Sequence, residues 1–158
     1  MESGAENVFK VEFEQLLDRV QIRVCVYRYS RAIDRCDEAL SRSIYWLDAP
    51  VEQMAFSVTR DDFVPRAVAG LKAMNATQHI IGNVRIAIEG TSASAESYFQ
   101  ALHSAMVDGV GRDNVMGGRL CRSFREARRR VADRLAPSWW TGIATMPTPR
   151  TGASAHSA

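Results

Sequence analysis

The sequence predicts an α+β domain with its helices first and its strands afterwards, and three observations carry that prediction. Apolar residues recur at steps of three and four from Phe13 to Tyr27, their period falls to two after Asn75, and from Pro147 onward no apolar period remains. The chain has 158 residues, of which 46% are apolar and 24% charged, with a net charge of +2. That composition reads as one ordinary globular domain. A chain of about 150 residues buries about 68–70% of its unfolded surface, so a core is within reach without a disulfide or metal staple.

Phe13, Leu16, Leu17, Val20, Val24 and Tyr27 form the apolar stripe of an amphipathic helix over 9–34. A second, shorter helix is expected over 37–45, where Ala39, Leu40 and Ile44 share a face before Asp48-Ala49-Pro50 ends it. Residues 51–59 are ambiguous between strand and loop. Asp61 and Asp62 stand where a helix dipole favours acids, ahead of Phe63, Val64, Ala67, Val68 and Leu71, so a third helix is placed over 61–74. From 78 to 89 a strand is expected with Ile80, Val84, Ile86 and Ile88 on one face and His79, Ile81, Asn83 and Arg85 on the other. A turn at Glu89-Gly90-Thr91-Ser92 then returns residues 93–103 as the second strand of a hairpin. Gly109, Gly111, Gly117 and Gly118 read as the punctuation of a loop. The domain is taken as residues 1–146, with 120–146 atypical, and 147–158 as a disordered tail.

Several function classes drop out. The apolar runs fall far short of the roughly 18–20 residues that a spanning helix needs, so no membrane partner is expected. Met1 to Lys10 carries Glu2 and Glu6 and lacks a basic start followed by an apolar stretch, which leaves a cytoplasmic location as the default. Cys25, Cys36 and Cys121 are odd in number and never spaced Cys-x-x-Cys, so reduced thiols and no structural metal are expected. No nucleotide loop, dinucleotide fingerprint, nucleophile elbow or zinc-protease motif occurs, and no cofactor is expected. The 20 basic residues include 18 Arg, seven of them between Arg119 and Arg134. Only Phe124 interrupts that run as an aromatic, so nucleic-acid binding is not expected either.

Among residues able to carry chemistry, Asp34 ends the first helix where a surface helix would carry a base, which makes it a candidate buried acid. His79 opens the strand. Tyr29 precedes Asp34 by five residues, which sets the two side chains roughly 140° apart on a helix, so a shared pocket would have to wrap the helix end. His103 falls in the returning strand, half exposed, and His156 in the tail. Trp46, Trp139, Trp140, Tyr98 and Phe99 could line an apolar pocket or form plain core.

Tyr29 to Asp37 (YSRAIDRCD), Ile44 to Ala49 (IYWLDA), Thr77 to Asn83 (TQHIIGN), Ala95 to Ala101 (AESYFQA) and Gly117-Gly118-Arg119 follow one another in an order and spacing that resembles SnoaL-like proteins of the nuclear transport factor two superfamily. The resemblance covers roughly residues 10–119. It implies a cone, in which a curved, mostly antiparallel sheet wraps the N-terminal helices around an apolar pocket. In catalytic relatives such as scytalone dehydratase, bile-acid dehydratase and hexachlorocyclohexane dehydrochlorinase, a His paired with an Asp acts as base in an elimination, and the matching residues are His79 and Asp34. Tyr29 matches a tyrosine that hydrogen-bonds the substrate oxygen in the dehydratases. Arg134, 55 residues after His79, stands in for the family's C-terminal arginine, although its neighbours do not match. The resemblance therefore implies a cofactor-independent lyase acting on a small apolar ring compound, in a homodimer or homotrimer. An isomerase or cyclase on the same fold, or a member that only binds a ligand or partner subunit, remains the alternative.

The pattern breaks after Arg119. Family members continue with a strand reading roughly YxDRFERRxGxWRI, whereas here the chain reads LCRSFREARRRVADR. Permitted codons for Leu120 onward, read one nucleotide later, spell YVDRFERRGGEWRI. A changed reading frame is the expected origin of this segment, with poor packing and few strand hydrogen bonds beyond about residue 120 as its consequence.

Overall fold

The computed structural model describes residues 4–53, 56–126 and 139–145. Helix α1 spans Gly4–Asp34, helix α2 Glu38–Ile44, strands β1 and β2 Pro50–Gln53 and Phe56–Thr59, helix α3 Arg60–Lys72, and strands β3 to β6 Ala76–Glu89, Ser92–Val107, Val110–Glu126 and Trp139–Thr145. Strands β3-β4-β5-β6 form one sheet in chain order, and β1-β2 a separate two-stranded ribbon. Every pairing is antiparallel. The fold class is α+β, and the ambiguous segment 51–59 is a pair of short strands.

The stripe that predicts α1 is not the one it buries. Ile22, Cys25, Val26, Tyr29, Ala32 and Ile33 face the core, while Phe13, Leu16, Leu17, Val20, Val24 and Tyr27 are exposed. The helix carries two apolar faces, so its period identifies a helix without saying which face turns inward. It stops through paired backbone bonds, from Asp37 N–H to the Ala32 carbonyl (2.9 Å) and from Cys36 N–H to the Ile33 carbonyl (3.0 Å). Cys36 takes the left-handed conformation (φ 51°) that this ending requires. Asp37 then starts α2 by accepting from Leu40 N–H at 2.9 Å, and Thr59 caps α3 by accepting from Asp62 N–H at 3.2 Å.

Two further expectations about β3 to β5 are corrected. In β3 the pairings Ile81↔Phe99 and Val84↔Ser97 leave one extra residue on β3, a bulge at Gly82-Asn83. Because side chains alternate with period two, that insertion brings His79 and Ile81 onto the same inner face as Val84, Ile86 and Ile88, and turns Ile80 outward. Within the glycine-punctuated stretch, residues 110–118 are strand, not loop. Val107 pairs with Val110 across Asp108 (φ 52°) and Gly109 (φ 76°), the positive φ values of a two-residue hairpin turn.

Pairing also continues past Arg119, from Leu120↔Ser97 to Arg125↔Ser92, and Cys121 to Glu126 pair with β6. The expectation of few strand bonds beyond about 120 does not hold for the described residues. Its physical reason is visible in the chain, because Leu120 and Phe124 still fall on alternate inward positions and are buried. Residues 127–138, with Arg134, and 146–158, the expected tail, lie outside the described residues. So do the side chains of Trp139 and Trp140.

The core has two parts. Tyr29, Ile33, Ile44, Tyr45, Val64, Val68, Phe99 and Leu120 pack α1, α2 and α3 against β4 and β5. Ile22, Cys25, Val26, Ala93, Ala95 and Phe124 join the middle of α1 to the far ends of the same strands.

Candidate active site

Asp34 is the last residue of α1, at the end where a helix dipole favours cations rather than carboxylates. The sheet supplies what the helix end does not. β3 is an edge of its sheet, so its outward N–H groups have no strand partner. His79 N–H donates to Asp34 Oδ2 at 2.9 Å, and Thr77 Oγ1 donates to Asp34 Oδ1 at 3.4 Å. The His79 ring completes the set, with Nδ1 2.7 Å from Asp34 Oδ1. A carboxylate only accepts, so this contact fixes the proton on Nδ1 and leaves the lone pair on Nε2. The His79 side chain is 9% exposed and that of Asp34 23%. The bulge at Gly82-Asn83 lets this happen while keeping Ile81, Ile86 and Ile88 against the core.

A second imidazole lies against the first. His103 of β4 packs its ring 5.2 Å from that of His79 at 58°, and its Nε2 is buried with no hydrogen-bond partner. Burial, with the neighbouring His79, pushes His103 below the usual histidine range, so it stays neutral at pH 7; Asp34 opposes this more weakly.

Tyr29 is placed differently. It is buried on the wall of a narrow cavity of about 10 Å³ between α1, α2 and α3, room for about one water, lined also by Ile33, Ser41, Tyr45, Phe63 and Val68. No hydrogen bond joins Tyr29 to Asp34 or His79 among the described residues, in keeping with the angle between positions 29 and 34. Of the aromatic residues considered for a pocket wall, Phe99 is core, Tyr98 is half exposed on the outer sheet face, and Trp46 is half buried beneath the Arg125 guanidinium at 4.4 Å. Among the described residues no group of three His, Cys, Asp or Glu side chains converges as a metal site. No helix there is long and apolar enough to cross a membrane.

Sequence reasoning missed Arg122. It is 3% exposed, and its guanidinium stacks on the Tyr29 ring at 3.8 Å. The alternation Leu120, Arg122, Phe124 was the signal that could have found it.

The SnoaL-like domain family matches residues 14–135. The chain belongs to that family. No curated protein matches the sequence. Among solved structures, the chain is similar to a putative scytalone dehydratase from Novosphingobium aromaticivorans (18% identity, 91% of this chain and 92% of that one, TM-score 0.74). It is also similar to a hexachlorocyclohexane dehydrochlorinase, LinA-type3, from Novosphingobium barchaimii (15% identity, 93% and 98%, TM-score 0.72). The Kfla4162 protein of Kribbella flavida compares likewise (17% identity, 87% and 95%, TM-score 0.73). At these identities the likeness is one of fold.

Proposed function

We propose that this SnoaL-like protein is a lyase that eliminates water, or another small leaving group, from a small apolar ring compound without a cofactor. The observation that carries the reading is the 2.7 Å contact between His79 Nδ1 and Asp34 Oδ1, which orients Nε2 as a base. Nε2 takes the proton from a carbon beside a carbonyl. The C–H electron pair becomes the new C=C bond, and the C–O bond on the next carbon breaks. The leaving oxygen departs with a proton, from the imidazolium or from solvent, as water. Asp34 stabilises the imidazolium while it lasts. Tyr29 is assigned to polarise a substrate oxygen on its resemblance to the tyrosine of the dehydratases alone. Similarity of fold to the dehydratase and the dehydrochlorinase supports the reaction class.

A homo-oligomer is part of this proposal. Phe9, Phe13, Leu16 and Val20 on α1, and Ile80, Tyr98, Leu102 and Met106 on the outer sheet face, are exposed apolar residues in continuous sets rather than scattered singly.

The test is turnover of a β-hydroxy ketone to its conjugated enone, followed by absorbance. His79→Ala should lower the rate by about 10²–10⁴-fold, and Asp34→Asn by a comparable factor because an amide cannot stabilise the imidazolium. Near-full activity in either folded variant contradicts the assignment.

A further inference from the structure

The face of α1 that docks on the domain and the face that does not are both apolar. At about 100° per residue, Phe9, Phe13, Leu16 and Val20 fall within about 60° of one another and roughly 160° round the helix from the buried stripe centred on Ile22 and Tyr29. The stripe therefore runs along the back of the helix, away from the body of the domain. Each of its four residues is about half exposed or more, and the Phe9 and Phe13 rings stack at 6.3 Å. Their steps of four, three and four are those of d, a, d and a positions in a heptad, the pattern of a helix that packs against another helix. Glu12 and Arg19, both exposed, hold the g positions on one flank of that seam. The bond from Arg19 Nη1 to the Ile86 carbonyl (2.8 Å) uses one guanidinium donor and leaves the others. A lipid surface suits the stripe poorly, because residues 4–18 carry Glu6, Glu12, Glu14 and Asp18 against Lys10 alone, a net −3 where an interfacial helix is rich in basic residues.

We propose that this stripe pairs antiparallel with the same stripe of a second copy of the chain, in the one register that sets Phe13 against Leu16 of the second copy and Phe9 against its Val20. Two-fold symmetry repeats each contact, which gives four apolar layers over residues 9–20. Charge decides the register. With Phe13 on Leu16, Glu12 of each copy lies beside Arg19 of the other, and both pairs attract. Sliding by one heptad either way sets Glu12 beside Glu12, or Arg19 beside Arg19 with Phe13 driven onto Arg23. A parallel pair would stack Arg23 on Arg23 at a core d position. The body of the domain packs on the opposite face, along the C-terminal half of α1, so the two bodies lie at opposite ends of the pair. This pairing deepens the proposed homo-oligomer by naming one of its contacts, and rests on that reading for assembly alone. No part of it uses Asp34 or His79.

Sedimentation equilibrium of the full chain at pH 7 tests the pairing. Arg19→Glu and Glu12→Arg each turn two attractive pairs into two repulsive ones, and each should weaken self-association by about tenfold or more. The double variant carrying both changes should return to within about threefold of the parent, and an equimolar mixture of the two single variants should associate about tenfold more tightly than either alone. Should Arg19→Glu not fold for want of its bond to Ile86, Glu12→Arg decides alone. Association unchanged in Glu12→Arg, no recovery in the double variant, or a mixture no tighter than its components overturns the helix pair. Association lost in Leu102→Asp but indifferent to every charge change leaves the homo-oligomer on the sheet face and overturns the helix pair, whereas a monomeric parent overturns both. A monomeric parent that floats with phosphatidylcholine vesicles gives the stripe to lipid instead.

Discussion

Asp34 and His79 were legible in the chain as residue types in matching positions, but their contact was not. It needs a helix that ends at Asp34 and an edge strand whose N–H and imidazole both point at that end. His103 was less legible still, since a histidine in a returning strand is as readily surface as site. Its burial has a consequence for stability. A histidine whose folded pKa lies below its unfolded value of about 6.5 binds fewer protons when folded, so stability is full above that pH and falls as pH drops below it toward the folded pKa. Replacing His103 by Gln should flatten the fall in urea-melting midpoint between about pH 6.5 and pH 5; an unchanged slope would place the acid sensitivity elsewhere. Cys25 shows burial acting on a thiol. Its pKa is pushed up to about 11, against the pull of Arg28 and Arg122. Alkylation at pH 8 is expected at Cys36 and Cys121 well before Cys25, as read by peptide mass mapping.

At the scale of elements, existence and order were readable from periodicity, whereas face and extent were not. α1 shows two apolar faces, and only the docking partner selects Ile22, Val26, Tyr29 and Ile33 over Phe13, Leu17 and Val24. β3 shows a clean alternation in sequence that a single inserted residue breaks, which moved His79 to the core side. The β4–β5 hairpin was hidden by its glycines, although Asp108-Gly109 is the dipeptide that such a turn prefers. Gly109→Val should therefore destabilise the domain by about 1–2 kcal/mol, measured by chemical denaturation, because its φ of 76° strains a branched residue even though no atom lies within 4 Å of the new Cβ. No measurable loss would mean that the turn relaxes. The segment after Arg119 has a separate check. If its reading frame is changed, as expected from the sequence, the nucleotides from codon 120 onward should spell YVDRFERRGGEWRI one nucleotide later, and position 122 should then read Asp. Codons unable to do so contradict that origin.

In the whole molecule, the site exists only where α1 docks on the edge of the sheet, and the exposed apolar sets on α1 and on β4 are proposed to be covered by further copies. Sedimentation should give a mass that is a multiple of 17.6 kDa, and Phe13→Asp or Leu102→Asp should reduce it. The parent sedimenting as a monomer would contradict this. Everything proposed about catalysis rests on one protonation state, with the His79 proton on Nδ1 facing Asp34 and the lone pair on Nε2. Nitrogen-15 NMR of the labelled imidazole at pH 7 reads it directly. The account predicts a protonated Nδ1 and an unprotonated Nε2, with that preference lost in Asp34→Asn. A proton on Nε2, or on both nitrogens, would contradict it, because His79 could not then accept a proton from substrate.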